Sequence, residues 1–155
     1  MLIRPFKTSD AAALSEIFHA SVHIIGSRYY NAQQVNAWSP HRVSEEAFIA
    51  RVSDGRSVYV AVNENDKLVG FIELEKDGHI DCFYCDPSVV GTGVGSALYD
   101  HLEKAARAQG LDRLDVAASE AAKPFFLGKG FHLVRRQTVE RNGVPLHNYL
   151  MEKHL

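Results

Sequence analysis

One stretch in the middle of the chain constrains the fold more than any other: Asp86-Pro87-Ser88-Val89-Val90-Gly91-Thr92-Gly93-Val94-Gly95-Ser96-Ala97-Leu98. A β-branched and aromatic segment enters it and an amphipathic helix leaves it. Alternating glycines let the backbone turn tightly and let a ligand approach without a Cβ in the way. The first N–H groups of a helix have no partners within it, and the dipole there is positive. The two features together make a site for a phosphate or pyrophosphate. A P-loop is excluded, because Gly95 is followed by Ser96 and no lysine. A dinucleotide fingerprint fits Gly91 and Gly93 but finds Ser96 at its third glycine; Asp115 lies roughly where its ribose-binding acid belongs. A turn without any ligand explains three alternating glycines poorly, since each costs up to ~1 kcal/mol against alanine inside a helix.

The rest of the chain organises around this loop. Leu2–Phe6 reads as a strand, and Ser9-Asp10 supplies capping chemistry for a helix over Ala11–Ile24. Asn31 caps a short helix through Val35 and Trp38, and Ser44 caps another with Glu45 and Glu46 in its first turn. Ser57–Val62, Lys67–Glu75 and His79–Cys85 are strands joined by short turns, an antiparallel meander. A helix over Ala97–Ala108 leads to a strand at Leu114–Ala118, which the helical crossover places parallel to His79–Cys85. Ala121–Leu127 is a short helix. Phe131–Arg141 and Val144–Lys153 form a hairpin turning at Asn142-Gly143. The expectation is a single α/β domain: one mixed sheet with helices on its faces.

Composition narrows the function classes. The chain has 155 residues, enough to bury a core without staples. A formal net charge of −2 speaks against a nucleic-acid binder. No apolar run is long enough for a membrane span, and the N-terminal residues do not read as a signal peptide. Two cysteines make no disulfide framework. Cys82 and Cys85 are three apart in a strand, on opposite faces, and read as small buried hydrophobes. His19 and His23, four apart on a helix, lack a companion ligand, so no metal is expected. The expected compartment is the cytoplasm.

Pro87 through Leu98 resembles motif A of the GNAT superfamily of acyl-CoA-dependent N-acetyltransferases, Q/R-x-x-G-x-G/A, with Val90 at the Q/R position, Gly93 at the glycine and Gly95 at the G/A. Gly70-Phe71-Ile72, Phe83-Tyr84-Cys85-Asp86-Pro87 and Ala122-Lys123-Pro124-Phe125-Phe126 with Gly130-Phe131 are similar to further family segments. The resemblance spans nearly the whole chain and is least specific between about Ala20 and Arg56. It implies a mostly antiparallel sheet whose central parallel pair splays, with helices on both faces.

The resemblance also implies roles. Acetyl-CoA is the acyl donor. Phe83, Tyr84 and Cys85 line its pantetheine arm; Val90, Gly91, Thr92, Gly93, Val94, Gly95 and Ser96 hold its pyrophosphate; Ser119 and Phe126 stand at two further cofactor positions. Phe126 occupies the place of a tyrosine that protonates the thiolate in many members, so Tyr84, Tyr149 or a water takes that part, or the thiolate leaves unassisted. The general base is sought among Asp81, placed first, His79 and Glu73. His23, Arg28, Tyr29, Tyr30, Trp38 and His147 line the acceptor pocket. The expected reaction is direct attack by a primary amine of a small molecule or peptide in a ternary complex, and the resemblance implies a homodimer, as in many members. The alternatives are a catalytically weak acyl-CoA-binding module and the dinucleotide reading.

Overall fold

The computed structural model describes all 155 residues. The chain runs β1 (Leu2–Pro5), α1 (Ala11–Ile24), α2 (Ala32–Trp38), α3 (Glu45–Val52), β2 (Ser57–Val62), β3 (Leu68–Leu74), β4 (His79–Cys85), α4 (Val94–Ala108), β5 (Arg113–Ala118), α5 (Lys123–Gly128), β6 (His132–Arg141) and β7 (Val144–His154). The strands form one seven-stranded sheet in the order β1-β2-β3-β4-β5-β7-β6. Every neighbouring pair is antiparallel except β4 and β5. No helix is long and apolar enough to cross a membrane.

Local chemistry explains most boundaries. Asn31 Oδ1 accepts the Gln34 N–H at 2.8 Å, and Gln34 Oε1 accepts the Asn31 N–H at 3.0 Å, a reciprocal cap that starts α2. Ser44 Oγ accepts the Ala47 N–H and starts α3. Asn142 and Gly143 both take positive φ, +49° and +77°, which suits the tight turn between β6 and β7. Helix α4 begins at Val94, earlier than its apolar stripe suggests, so Gly95 lies inside its first turn. Helix α5 starts at Lys123 rather than Ala121, with Pro124 in its first turn.

Each sheet face has its own core. Leu98, Tyr99, Leu102 and Ala106 of α4 pack on Ile72, Leu74, Ile80, Leu114, Val116 and Met151. Leu14 and Ile17 of α1, with Phe48 and Val52 of α3, cover Val58, Val60 and Phe71 on the opposite face. Gly70 makes the α4 contact close: a Cβ there would stand 3.0 Å from Leu98 and 3.2 Å from Cys85 Sγ.

The centre of the sheet opens. Strands β4 and β5 pair only at His79↔Asp115 and Ile80↔Val116. Beyond that point β4 stays with β3 and β5 stays with β7. Ile72 faces Phe83 and Leu74 faces Ile80, so Glu73 alone stands opposite both Asp81 and Cys82. This is a bulge in β4, and a bulge bends its strand and re-aims its side chains. The backbone of β4 from Asp81 to Cys85 therefore has no partner on its β5 side.

Candidate active site

Two cavities meet at this opening. One, of about 400 Å³, lies on the α1–α3 face between Phe18, Val43, Phe48, Leu146 and the polar groups of Arg51, His79, Asp81, Arg141 and Asn148. The other, of about 230 Å³, runs under the glycine loop between Val22, Ile25, Phe83, Cys85, Val90, Gly91, Gly95 and Phe125. Tyr30, Trp38, Tyr84 and Ser119 line both, so they form the seam.

The glycine loop presents unpaired backbone donors at a helix start. Gly91 and Gly93 take φ of +80° and +94°, the left-handed region where a side chain is strained. Gly93 is the residue before α4; no side chain caps that helix and no acid lies in its first turn. The leading N–H groups are thus left free at the positive end of the dipole. Val94 turns its side chain into the core, and Ser96 Oγ receives Lys129 Nζ at 2.6 Å, so here the backbone faces the site. Gly95 lets α4 pass the groove closely, since a Cβ there would touch the Phe83 ring at 3.4 Å.

Among the expected cofactor residues, Phe83, Tyr84, Cys85, Val90, Gly91, Gly95 and Ser119 line the groove. Phe126 does not. It is 1% exposed and packs against Phe83, Tyr99 and Phe131, while its neighbour Phe125 faces the groove. The thiols do not offer a nucleophile. Burial pushes Cys85 up to about 12 and Cys82 well above its ordinary range. Cys82 belongs to the α1 side and Cys85 to the α4 side, as their odd spacing predicts.

The expected bases separate by their partners. Glu73 is fully buried. Arg51 donates to its two oxygens at 2.7 and 2.6 Å, and Arg56 donates at 2.8 Å. It does not line the cavity of about 400 Å³, and its carboxylate is spent on these two guanidiniums. Asp81 does line that cavity, but its Oδ2 accepts from Arg56 at 2.7 Å and from Arg51 at 3.3 Å. His79 is the contrasting case. Its Nδ1 lies 2.5 Å from Asp115 Oδ1, and the ring borders the cavity. An aspartate on one ring nitrogen fixes the proton there and leaves the other nitrogen, Nε2, as an acceptor; Nε2 lies 3.8 Å from Glu75 Oε2, beyond hydrogen-bond reach. Local sequence gives no sign of Asp115's part here, because the pairing spans 36 residues and exists only through the parallel register of β4 and β5.

The expected acceptor residues are largely elsewhere. Trp38 and Tyr30 line the cavity, but Tyr30 is also a strut: its hydroxyl donates to the His147 carbonyl at 2.9 Å and accepts the Glu120 N–H at 3.0 Å. His147 Nε2 lies 2.5 Å from Glu120 Oε2, outside both cavities. Hydrogen bonds from Tyr149 and His147 hold the Glu120 carboxyl below its usual range, and the same Glu120 contact raises the Tyr149 hydroxyl. Tyr149 is thereby committed away from the thiolate. His23 spends Nε2 on the Ser39 carbonyl at 2.7 Å and His19 spends Nδ1 on Ser39 Oγ at 2.6 Å. Arg28 and Tyr29 are exposed and line neither cavity. Arg51, Arg141 and Asn148 are cavity residues that the sequence does not single out.

Comparison with known proteins agrees with this geometry. The family model described as Acetyltransferase (GNAT) domain matches residues 27–153. The chain belongs to the GNAT acetyltransferase family. It is 34% identical over 149 residues to the uncharacterized N-acetyltransferase YafP of Escherichia coli K12, covering 96% of this chain and 93% of that one. A crystal structure of a GCN5-related N-acetyltransferase from Rhodopseudomonas palustris superposes with a TM-score of 0.92 at 38% identity, over 99% of this chain and 95% of that one. The PaiA N-acetyltransferase of Thermoplasma acidophilum, solved with coenzyme A, shares the fold with a TM-score of 0.78 at 19% identity, over 99% and 98% of the two chains. This GNAT chain is therefore an acyltransferase. The dinucleotide reading is set aside: one parallel strand pair replaces the parallel sheet it requires, and Asp115 is engaged by His79.

Proposed function

We propose that this chain transfers an acetyl group from acetyl-CoA to a primary amine of a small molecule or peptide, both bound at once, with His79 as general base. The carrying observation is the meeting of two unlike cavities at one seam: an apolar groove under an anion-binding loop, and a polar cavity holding a His–Asp pair. When bound, acetyl-CoA supplies an activated thioester. The free N–H groups between Gly91 and Ser96 would hold its pyrophosphate. The unpartnered edge of β4 offers backbone hydrogen bonds to an extended arm, in the manner of strand addition.

The remaining residues divide the proton work. Asp115 keeps the proton on His79 Nδ1, leaving Nε2 to take one from the incoming ammonium, directly or through a water. Tyr84 stands on the seam and lines both cavities. Burial holds its hydroxyl protonated well past its ordinary range, so it stays a donor for the departing thiolate. With both thiols raised by burial, direct attack by the amine is favoured over an acetyl-cysteine. The acceptor cavity has the size of a small-molecule site.

The test is steady-state release of CoA thiol with a panel of amines, on the wild type and on His79→Gln. General base loss lowers kcat by about 10²–10⁴. Acetyl-CoA binding by calorimetry stays as it was. An undiminished kcat in His79→Gln sinks the base assignment; absence of acetyl-CoA binding in the wild type sinks the reading as a whole.

A further inference from the structure

Two unpaired polar groups face the acceptor cavity from the β6–β7 hairpin. Asn148, on β7, is 7% exposed, and its Oδ1 is sealed from solvent without any hydrogen-bond partner. No bond of its carboxamide to the protein exists at either end. It is the only buried side-chain polar atom of the chain in this state. An unsatisfied buried amide is costly unless a ligand satisfies it. Arg141, at the end of β6, is exposed and lines the same cavity. Its only hydrogen bond goes to the Glu140 carbonyl at 3.2 Å, and it forms no ion pair. The other charges bordering the cavity are spent: Arg51 and Asp81 on each other and on Glu73 and Arg56, His79 on Asp115. Arg141 is the one cation left uncompensated.

Their positions order a ligand. Asn148 precedes Tyr149, which pairs with Ala118, so it sits beside the seam residue Ser119 where β4 and β5 part. Arg141 pairs with Val144 at the hairpin tip. Four residues of strand separate Val144 from Asn148, about 13 Å. Between the two lies an apolar wall that includes Leu146 and Trp38.

Resting on the acetyl-transfer reading above, we propose that the acceptor is an ω-amino-acid-like molecule: a primary amine separated by an apolar body from an anionic group, carboxylate or its equivalent. Asn148 orients the amine at the seam, and Arg141 holds the anion at the rim. A half-turn of the carboxamide brings either Oδ1 or Nδ2 to the ligand, so Oδ1 can accept from the amine. A guanidinium free of other acids receives a carboxylate through charge-assisted, bidentate bonds.

The test pairs ω-amino acids of graded apolar chain length, in which amine and carboxylate stand far enough apart to reach both side chains, with their carboxamides, which keep the amine and the body but lose the charge. Equilibrium binding to the protein saturated with CoA, followed by calorimetry, is the first readout; amine-dependent CoA release from acetyl-CoA is the second. The expectation is binding at least 10-fold tighter for the carboxylates. In Arg141→Gln that ratio collapses toward one. In Asn148→Leu both members of each pair bind at least 10-fold more weakly, acetyl-CoA KM is unmoved, and Tm does not fall, because an unpartnered amide has been replaced by an apolar group of similar size. A fall in Tm would mark Asn148 as structural and overturn its role. Equal binding of acids and amides, or a preference that survives Arg141→Gln, overturns the anion assignment while leaving acetyl transfer intact. Selective binding of the acids without turnover keeps the recognition site and overturns the acetyl-transfer reading instead. Binding by neither series overturns the proposal.

Discussion

Glu73 carries its carboxylate at full burial between the Arg51 and Arg56 guanidiniums, and the Arg56 side chain is itself only 7% exposed. Removing one member of such a pair leaves the others charged and poorly solvated. Glu73→Gln is therefore expected to destabilise the fold by about 3 kcal/mol, the lower end of the range for buried pairs because Arg51 still reaches solvent. Urea denaturation measures it through the midpoint at unchanged slope. Asp10 is a second buried acid with a defined pH signature. Burial alone would raise its carboxyl, but hydrogen bonds from Arg4 at 2.8 and 2.9 Å and from the Lys7 N–H at 2.8 Å take it below the usual value. The unfolded chain then binds more protons at this site than the folded one. Its stabilisation is complete above about pH 4–5 and is lost as pH falls through the lowered folded value. Asp10→Asn is expected to flatten the acid limb of a Tm-against-pH curve; an unchanged limb would refute the assignment.

Helix α4 shows what local sequence reveals and what it conceals. The glycine loop, the meander and the Asn142-Gly143 hairpin follow from short-range chemistry: turn residues, period-two strands and a helix with no cap of its own. The site needs contacts that only the assembled sheet creates. His79 meets Asp115 across β4 and β5, and the bulge that isolates Glu73 opposite Asp81 and Cys82 has no signature in the chain. Phe125 and Phe126 are adjacent, and a helical step of one residue swaps groove for core. His23 and His147 are the right residue types near the right elements, yet they face Ser39 and Glu120. Gly95 tests the division of labour within α4. Alanine is favoured over glycine in a helix by up to about 1 kcal/mol, and its Cβ would make only ordinary contact with Phe83. Gly95→Ala is expected to raise Tm slightly while raising KM for acetyl-CoA several-fold, since the methyl group enters the groove. A parallel rise in Tm with no change in KM would remove the groove from the cofactor's path.

At the scale of the whole molecule, the two halves of the sheet are hinged at Ile80 and Val116 and held apart above them. The helices of the first third of the chain, the region least marked in sequence, close one side of that opening. Tyr30 ties them across it, reaching β7 through His147 and the segment after β5 through Glu120. Tyr30→Phe removes both bonds and leaves buried groups unpaired, a cost of about 1–3 kcal/mol. Hydrogen exchange is expected to report it as faster exchange in α2 and after β5, with α4 and the β1–β3 amides unchanged.

The chain has a single tryptophan, and Trp38 lies on the seam, in edge contact with Tyr30 and near Tyr84. Every photon of indole emission from this protein therefore originates at the seam of the two cavities, where the proposed function brings donor and acceptor together. The molecule carries its own optical gauge of occupancy, with no label to attach. Filling the groove with CoA changes the indole's surroundings on one side, and filling the amine cavity changes them on the other. Two successive emission changes in one titration are expected from ordered loading of both sites, and Trp38→Phe should abolish the signal.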